Sequence, residues 1–263
     1  MFIDVEGYKA LALSFGNGSR NFLAIGGWIG SSEVWLPTLE ILSTTWRVAS
    51  FDHRGAGETV VPVEAITYSA LVDDVFRAMD SLRIERCVLG GESAGTQVVL
   101  DAVLRHPERF TGAVLADGAA GLPRSQAAGP SPITGPPSTW PGDDDRARLS
   151  WFVDLCIPEP DADHFRRWGL DILRRADPEA ATRLWGIGRD SASQLVTRLA
   201  EVRVPVLLIR GSEDALVPRA AMEELSERLP NSKLVEVPGA GHVPVLTRPA
   251  VVSREIETHF PTD

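Results

Sequence analysis

Short apolar runs recur along the chain and alternate with segments in which apolar residues return at helical spacing. Runs that are rich in β-branched residues and bounded by glycine or polar clusters predict β-strands. Several runs are apolar at consecutive positions, which is typical of parallel strands in a sheet that helices cover on both faces. The predicted strands span residues 2–5, 11–15, 22–25, 47–51, 86–89, 112–116, 204–209 and 233–237.

Two of the segments between these strands predict amphipathic helices. Residues 69–82 carry one apolar stripe, formed by Leu71, Val72, Val75, Phe76, Met79 and Leu82, and such a stripe predicts a helix with one buried face. A second helix is predicted after Ser93 and ends before Pro107, because the residue before a proline disfavours helical backbone. The alternation of strands and helices predicts an α/β fold with a doubly wound, mostly parallel eight-stranded sheet. The first two strands are close in sequence, so we expect an antiparallel hairpin at that edge.

One segment interrupts the alternation. Ten of the 22 residues at positions 121–142 are glycine or proline, which predicts a flexible connection. Residues 143–201 then show helical spacing and several tryptophans, and the strand pattern resumes at Val204. We therefore predict an α/β core formed by residues 1–120 and 202–263, with a helical insertion at residues 121–201.

Composition limits the classes of partner. The chain of 263 residues has a net charge of -10 and no basic cluster, so a nucleic-acid partner is not expected. The N-terminal segment lacks the basic and long apolar regions of a signal peptide, and no membrane-spanning run is present. A cytoplasmic protein without a membrane partner is predicted. The two cysteines and five histidines show no metal-ligand spacing, so neither a metal nor another cofactor is predicted.

The most informative short motif is GESAG at residues 91–95, which has the pattern G-x-S-x-G. It is either an ordinary glycine-rich turn or a corner that holds a nucleophilic serine, Ser93. The predicted strand before it and the predicted helix after it favour the nucleophile, because a sharp strand-to-helix turn requires small neighbours. At such a corner the backbone N–H of Ala94 is placed to stabilise an oxyanion.

A serine hydroxyl needs a base, and the base needs a carboxylate that orients it. Asp214 follows the apolar strand at residues 204–209, and His242 lies in a glycine-flanked loop after the last strand. Both loops are expected at the carboxyl edge of the sheet, where open α/β sheets bind ligands. Glu213 and Asp117 are the alternative candidates for the acid.

Together these motifs resemble the α/β-hydrolase family over nearly the whole chain. FLAIGGWIGSSEVW at residues 22–35 resembles the family's oxyanion loop, and FDHRGAGET at residues 51–59 resembles its turn after the fourth strand. GSEDALVP at residues 211–218 and GAGHVPV at residues 239–245 resemble its acid and histidine loops. The resemblance implies that the N–H groups of Trp28 and Ala94 form an oxyanion hole and that Trp28 lines the substrate site. It also implies that residues 121–201 form a helical cap.

The chain departs from the family pattern at two points. Gly26-Gly27 stands where the family often has His-Gly, which predicts a less stiff loop but retains the N–H donor. The HGGG loop that usually accompanies GESAG in larger carboxylesterases is absent, so membership of that subgroup is not expected. Glu92 is interpreted as a structural residue, and His53 and Arg54 as part of a turn that Arg54 stabilises.

The predicted function is hydrolysis of a small or medium-sized, largely apolar carboxylic ester or lactone by Ser93, His242 and Asp214 through an acyl-enzyme. The predicted partner is therefore a small-molecule substrate. Carbon–carbon bond hydrolases, perhydrolases and acyltransferases of this family use the same residue set and remain alternatives. A ligand-binding signalling protein with slow turnover is a further alternative.

Overall fold

The sheet of the protein contains all eight predicted strands. The computed structural model describes residues 1–122 and 131–261, with the side chains of residues 188–193 left out. The strands are β1 (Phe2–Val5), β2 (Tyr8–Phe15), β3 (Arg20–Ile25), β4 (Trp46–Phe51), β5 (Cys87–Glu92), β6 (Phe110–Ala116), β7 (Val206–Gly211) and β8 (Ser232–Val237). Strands β2 and β5 each extend three residues beyond the prediction. In β5 the extension contains glycines that pair with β3 and β6 and do not yet belong to the turn.

The strand order is β1-β2-β4-β3-β5-β6-β7-β8. Strand β2 is antiparallel to both of its neighbours, which confirms the predicted hairpin with β1, and the pairs from β4 to β8 are parallel. After β3 the chain moves to β4 on one side, whereas β5 lies on the other side of β3. The loops that leave β3 and β5 therefore diverge at the carboxyl edge, and such a switch point opens a crevice for a ligand.

Helices pack on both faces of the sheet. They are α1 (Leu36–Leu42), α2 (Tyr68–Ser81), α3 (Gly95–Arg105), α4 (Asp145–Cys156), α5 (Asp163–Leu173), α6 (Pro178–Arg198), α7 (Arg219–Arg228), α8 (Pro244–Thr247) and α9 (Pro249–His259). Helices α2, α3 and α7 share one apolar core with alternate strand residues such as Leu89. Helices α1 and α9 cover the other face, where Val88 points. Both amphipathic helices predicted from the sequence are confirmed as α2 and α3.

The segment between β6 and β7 contains α4, α5 and α6, and no strand occurs in its described residues. Residues 123–130 of the predicted glycine- and proline-rich connection lie outside the described residues. Val153 of α4 and the following Ile157 form a small apolar cluster with Leu246 of α8, and residues of α5 such as Phe165 pack against it. No helix in the described ranges is both long and apolar enough to span a membrane.

A buried ion pair ties the loop after β4 to α2. Arg54 is 2% exposed and Asp74 1%, and the guanidinium donates two hydrogen bonds to the carboxylate at 2.6 and 3.0 Å. The same guanidinium reaches Glu6 in the β1–β2 turn. These contacts raise the pKa of Arg54, with the hydrogen bond to Asp74 as the largest cause. Arg54 therefore stabilises this turn, as the sequence indicated.

Replacement of Asp74 by Ala is expected to reduce the free energy of unfolding by about 3 kcal/mol, because it leaves the Arg54 charge buried without its main partner. The matched control is Asp73→Ala, which removes an ion pair with Arg105 from a side chain that is 43% exposed and should cost no more than about 1 kcal/mol. Urea unfolding followed by circular dichroism measures both variants. Equal losses of unfolding free energy in Asp74→Ala and Asp73→Ala would contradict the stabilising role of the buried Arg54–Asp74 pair.

Candidate active site

Ser93 occupies a strained corner between β5 and α3. Its φ is +51°, a left-handed conformation that costs free energy for a residue with a side chain. The corner is held by hydrogen bonds: the Ser93 N–H donates to the Ala116 carbonyl at 2.8 Å, and the Thr96 N–H and hydroxyl donate to the Ser93 carbonyl at 3.1 and 2.7 Å. The surrounding backbone therefore keeps the serine in a conformation that it would rarely adopt alone.

Glycines around the corner are required by close backbone contacts. A Cβ at Gly91 would lie 2.7 Å from the Gly95 carbonyl oxygen. A Cβ at Gly95 would lie 2.6 Å from the carbonyl oxygen of Gly26, in the loop after β3. Both distances are too short for a side chain. Gly91 therefore lets the corner itself turn tightly, and Gly95 lets it pack directly on the neighbouring loop.

The structure brings Ser93, His242 and Asp214 into one chain of hydrogen bonds. His242 Nε2 lies 2.8 Å from Ser93 Oγ, and His242 Nδ1 lies 2.9 Å from Asp214 Oδ2. The second carboxylate oxygen of Asp214 accepts backbone N–H groups from Leu216 and Val217 at 2.7 and 3.1 Å. The acid is thus oriented by backbone donors, and in turn it orients the histidine.

The electrostatics of this chain favour an ionised Asp214 beside a basic His242. Burial acts to lower the pKa of His242, but the charge and hydrogen bond of Asp214 and the charge of Glu92 outweigh it and raise the pKa. Burial acts to raise the pKa of Asp214, but the histidine and a hydrogen bond from Asp117 lower it. A proton that arrives on Nε2 is therefore stabilised by the carboxylate behind the ring.

The alternative acids lie in other positions. Glu213 is exposed and contacts Ser212. Asp117 is fully buried, and its Oδ1 accepts the Gly211 N–H at 2.8 Å. Burial, followed by the charge of Asp214, raises the pKa of Asp117 well above its usual range. This shift favours the neutral form of Asp117, which can donate a hydrogen bond to Asp214.

Asp117, Asp214 and His242 hold ligand-type atoms within 4.8 Å of one another, the only such group among the described residues. Their chemistry does not fit a cation, because Asp117 is neutral and both nitrogens of His242 already have partners. The group is better explained as a hydrogen-bonded set that supports the histidine.

The loop after β3 lies against the serine corner. The Gly27 N–H donates to Glu92 Oε2 at 2.9 Å, and a Cβ at Gly27 would lie 2.9 Å from Ser93 Cβ. Within the described residues, neither the Trp28 N–H nor the Ala94 N–H donates a hydrogen bond to the protein. The two predicted oxyanion donors are thus close to Ser93 and not engaged elsewhere.

The indole of Trp28 joins this loop to the helical insertion. Its Nε1 donates to the Ala181 carbonyl of α6 at 2.8 Å. The ring also packs edge-on against Trp140, Phe152 and Trp185, with centroid distances of 5.2 to 5.6 Å. These contacts fix the ring as one wall of the site.

Two largely apolar cavities meet at Gly27 and Trp28. The first has a volume of about 560 Å³, including open solvent, and contains Ser93, His242 and Glu92. Its remaining lining is mostly apolar and includes Phe152, Cys156, Ile172 and Leu173 of α4 and α5. The second, of about 500 Å³ on the same measure, is lined by Ala94, His53, Tyr68 and Leu184 among others. No Lys or Arg of the described side chains lines either cavity.

Two further residues hold the site, and sequence reasoning did not assign them this role. Glu92 supports the loop after β3, as described above. Glu159, 2% exposed in the connection between α4 and α5, accepts the Gly241 N–H at 3.1 Å and the Thr247 hydroxyl at 2.7 Å. The adjacent His242 N–H donates to the Cys156 carbonyl at 2.8 Å. No local pattern signals the Glu159 contact, because it joins positions 82 residues apart.

A family model that describes the α/β hydrolase fold matches residues 21–249. A RutD protein of Agrobacterium fabrum, named as a carbamate hydrolase, is 30% identical over 255 residues, 89% of this chain and 90% of that protein. A pimeloyl-(acyl-carrier protein) methyl ester esterase of Aeromonas hydrophila is 28% identical over 252 residues, 94% and 96% of the two chains. The solved structure of an esterase from Exiguobacterium antarcticum superposes with a TM-score of 0.85 at 18% identity, covering 98% of both chains, and this likeness concerns the fold.

Glu92 makes the stability of the protein depend on pH. Burial raises its pKa from 4.5 to about 7, against the charge of His242 and the Gly27 N–H, which lower it. The folded state therefore binds this proton more tightly than the unfolded state. Binding of this proton to Glu92 contributes fully to the free energy of unfolding below pH 4.5, and the contribution is lost as the pH rises through about 7.

Glu92→Gln retains an acceptor for Gly27 but cannot ionise. The free energy of unfolding of the wild type, measured relative to this variant, should fall by at least about 1 kcal/mol between about pH 5 and about pH 8. Urea unfolding at both pH values measures the difference, with Glu227→Gln, at an exposed position, as the control. If the free energy of unfolding of the wild type relative to Glu92→Gln stays constant or grows with pH, Glu92 is ionised over the whole range.

Proposed function

Because the chain belongs to the α/β-hydrolase fold family, we propose that it is a serine hydrolase that cleaves a carboxylic ester or lactone. The observation that carries the proposal is the unbroken chain of hydrogen bonds from Ser93 Oγ through His242 to Asp214. Nucleophile, base and orienting acid are each within hydrogen-bond distance of the next, which is the geometry that acyl transfer by serine requires.

In the proposed reaction, His242 Nε2 accepts the Ser93 proton while Oγ attacks the carbonyl carbon. The Trp28 and Ala94 N–H groups stabilise the oxygen that becomes negative. The imidazolium, stabilised by Asp214, then protonates the departing alkoxide and leaves an acyl-enzyme. Water activated by the same nitrogen attacks the acyl-enzyme, and the acid product departs as Ser93 regains its proton.

The cavities favour a neutral, apolar substrate. Among the described residues, Ser93, Glu92, His242 and Cys156 place ionisable or nucleophilic groups in the first cavity, and no described Lys or Arg lines either cavity to bind a carboxylate. A charged acyl group would lose its hydration there without gaining a partner. We propose that residues 121–201 act as the cap of this site, since α4 and α5 supply much of its apolar wall. A cytoplasmic location stays a prediction from the sequence.

The two relatives widen the panel of substrates to be tested. One is named as a carbamate hydrolase and the other as a methyl ester esterase. Both names describe cleavage at an acyl carbon, which the proposed mechanism performs. Methyl esters and carbamates therefore belong beside simple lactones in the assays, and an ester remains the preferred substrate class.

Hydrolysis of nitrophenyl esters from acetate to octanoate tests the proposal. Turnover should be lost in Ser93→Ala by at least about 10³-fold, and a fluorophosphonate should label Ser93 of the wild type, as mass spectrometry would show. The chain length with the highest kcat/KM then measures the acyl cavity. Labelling without turnover would favour the ligand-binding alternative, and neither labelling nor turnover would overturn the proposal.

Two isosteric variants identify the acid. Asp214→Asn should lower kcat by about 10⁴-fold, because His242 loses the partner that fixes its tautomer and stabilises its charge. Asp117→Asn should lower kcat by less than about tenfold, because an amide can replace the neutral carboxyl as hydrogen-bond donor to Asp214. Steady-state kinetics of both variants, each shown to be folded, decides which aspartate supports His242. The reverse order of effects would assign the catalytic role to Asp117.

A further inference from the structure

His53 contacts the loop that carries the proposed oxyanion donor. It lies just beyond the carboxyl end of β4, which pairs with β3 so that Phe51 stands beside Ile25. The loops that follow these two strands are therefore neighbours. His53 is 8% exposed, and its Nε2 lies 2.8 Å from the carbonyl oxygen of Gly27.

This carbonyl belongs to the same peptide unit as the Trp28 N–H. In a planar trans peptide the C=O and N–H point in opposite directions, so the orientation of one sets the orientation of the other. A hydrogen bond that holds the Gly27 oxygen towards His53 thus directs the Trp28 N–H away from it. The rotation of this one peptide decides where the oxyanion donor points.

The loop itself does little to restrict that rotation. Gly26 and Gly27 precede Trp28, and glycine allows more backbone conformations than any other residue. The Glu92 carboxylate holds the Gly27 N–H at 2.9 Å, but that group belongs to the preceding peptide. Within the described residues, the other hydrogen bond to the Gly27 carbonyl comes from the Gly30 N–H at 3.4 Å, which is longer and weaker than the His53 contact.

We propose that His53 is a positioning residue, which donates a hydrogen bond from Nε2 to the Gly27 carbonyl and thereby aims the Trp28 N–H at the oxyanion. The inference rests on the proposed function, because it concerns an oxyanion hole beside Ser93. His53 does not act as a second base, since the partner of Ser93 Oγ is His242.

The surroundings of the ring support its role as a donor. Nδ1 lies 3.1 Å from the Arg54 carbonyl, so both ring nitrogens face acceptors. The shorter contact, at Nε2, places the proton of the neutral ring on that nitrogen, and a protonated ring would donate there as well. A donor on the Gly27 oxygen also polarises the peptide, which strengthens its N–H as a donor towards developing negative charge.

Two amide variants of His53 distinguish the effect of its hydrogen bond to Gly27 from the effect of its size. His53→Gln places a side-chain NH₂ near the position of Nε2, whereas His53→Asn has the same chemistry but reaches only as far as Nδ1. We expect His53→Asn to lower kcat/KM for the best nitrophenyl ester by about 10- to 100-fold, less than the complete loss of an oxyanion donor. His53→Gln should stay within about threefold of the wild type, and so should His164→Asn, a control on the exposed face of α5.

A reversible transition-state analogue provides the deciding measurement. A trifluoromethyl ketone with the acyl chain of the best ester forms an oxyanion on Ser93, whereas the matching carboxylic acid product does not. If His53 positions the donor, His53→Asn weakens ketone binding by the same factor as it lowers kcat/KM and leaves product binding unchanged. A purely structural role would weaken both ligands alike.

The inference is overturned if folded His53→Asn retains wild-type kcat/KM, or if His53→Gln is as impaired as His53→Asn. Should His53→Asn fail to fold, His53→Leu takes its place with the same expectation. If the wild type hydrolyses esters and the His53 variants are equally active, only this inference is overturned. A wild type with neither turnover nor a labelled Ser93 overturns the proposed function, and this inference with it.

Discussion

The site depends on direct contact between two stretches of backbone. The corner at Ser93 and the loop after β3 come from adjacent strands, and they meet where Gly95 packs on Gly26 and where Gly27 packs on Ser93. A side chain at Gly95 would lie 2.6 Å from the Gly26 carbonyl oxygen, and one at Gly27 would lie 2.9 Å from Ser93 Cβ, so either would push the two stretches apart. The N–H of Trp28 can then no longer face the same point in space as the serine hydroxyl. These glycines therefore set how closely the loop approaches Ser93, whereas the rotation of the peptide between Gly27 and Trp28 depends on other contacts.

Burial of several acids beside one histidine sets the electrostatics. Glu92, Asp117 and Asp214 all lie in the buried region behind Ser93, where three separate negative charges would be very costly. The fold removes most of this cost by protonation: Asp117 is neutral and Glu92 titrates near neutral pH, while Asp214 is ionised and paired with His242. The charge that is paired with His242 is thus that of Asp214, and it is the one that an imidazolium would need during the proposed acyl transfer.

The fold followed closely from the sequence, because its signals are local. Apolar runs and helical spacing predicted the eight strands, and the order of Ser93, Asp214 and His242 along the chain placed them at the same edge of the sheet. The contacts that stiffen the site were not predictable in this way. Glu92 meets Gly27 across 65 positions and His53 meets it across 26. A single buried polar side chain leaves no periodic signal in a sequence. The contacts of Glu92 and His53 with the loop that contains Gly26 and Gly27 were therefore not predicted.

The contacts that hold the loop of His242 limit where the sequence around the site can change during evolution. The Gly241 and His242 N–H groups bond to Glu159 and Cys156, and a Cβ at Gly241 would lie 2.3 Å from Pro158. The connection between α4 and α5 is thus part of the support of His242, the proposed general base, and not an independent cover. Insertions or deletions there would displace the base together with the wall. Evolutionary change of the substrate range is therefore freer at α6, whose Leu184 and Ile187 line the second cavity, because change there can leave the histidine in place.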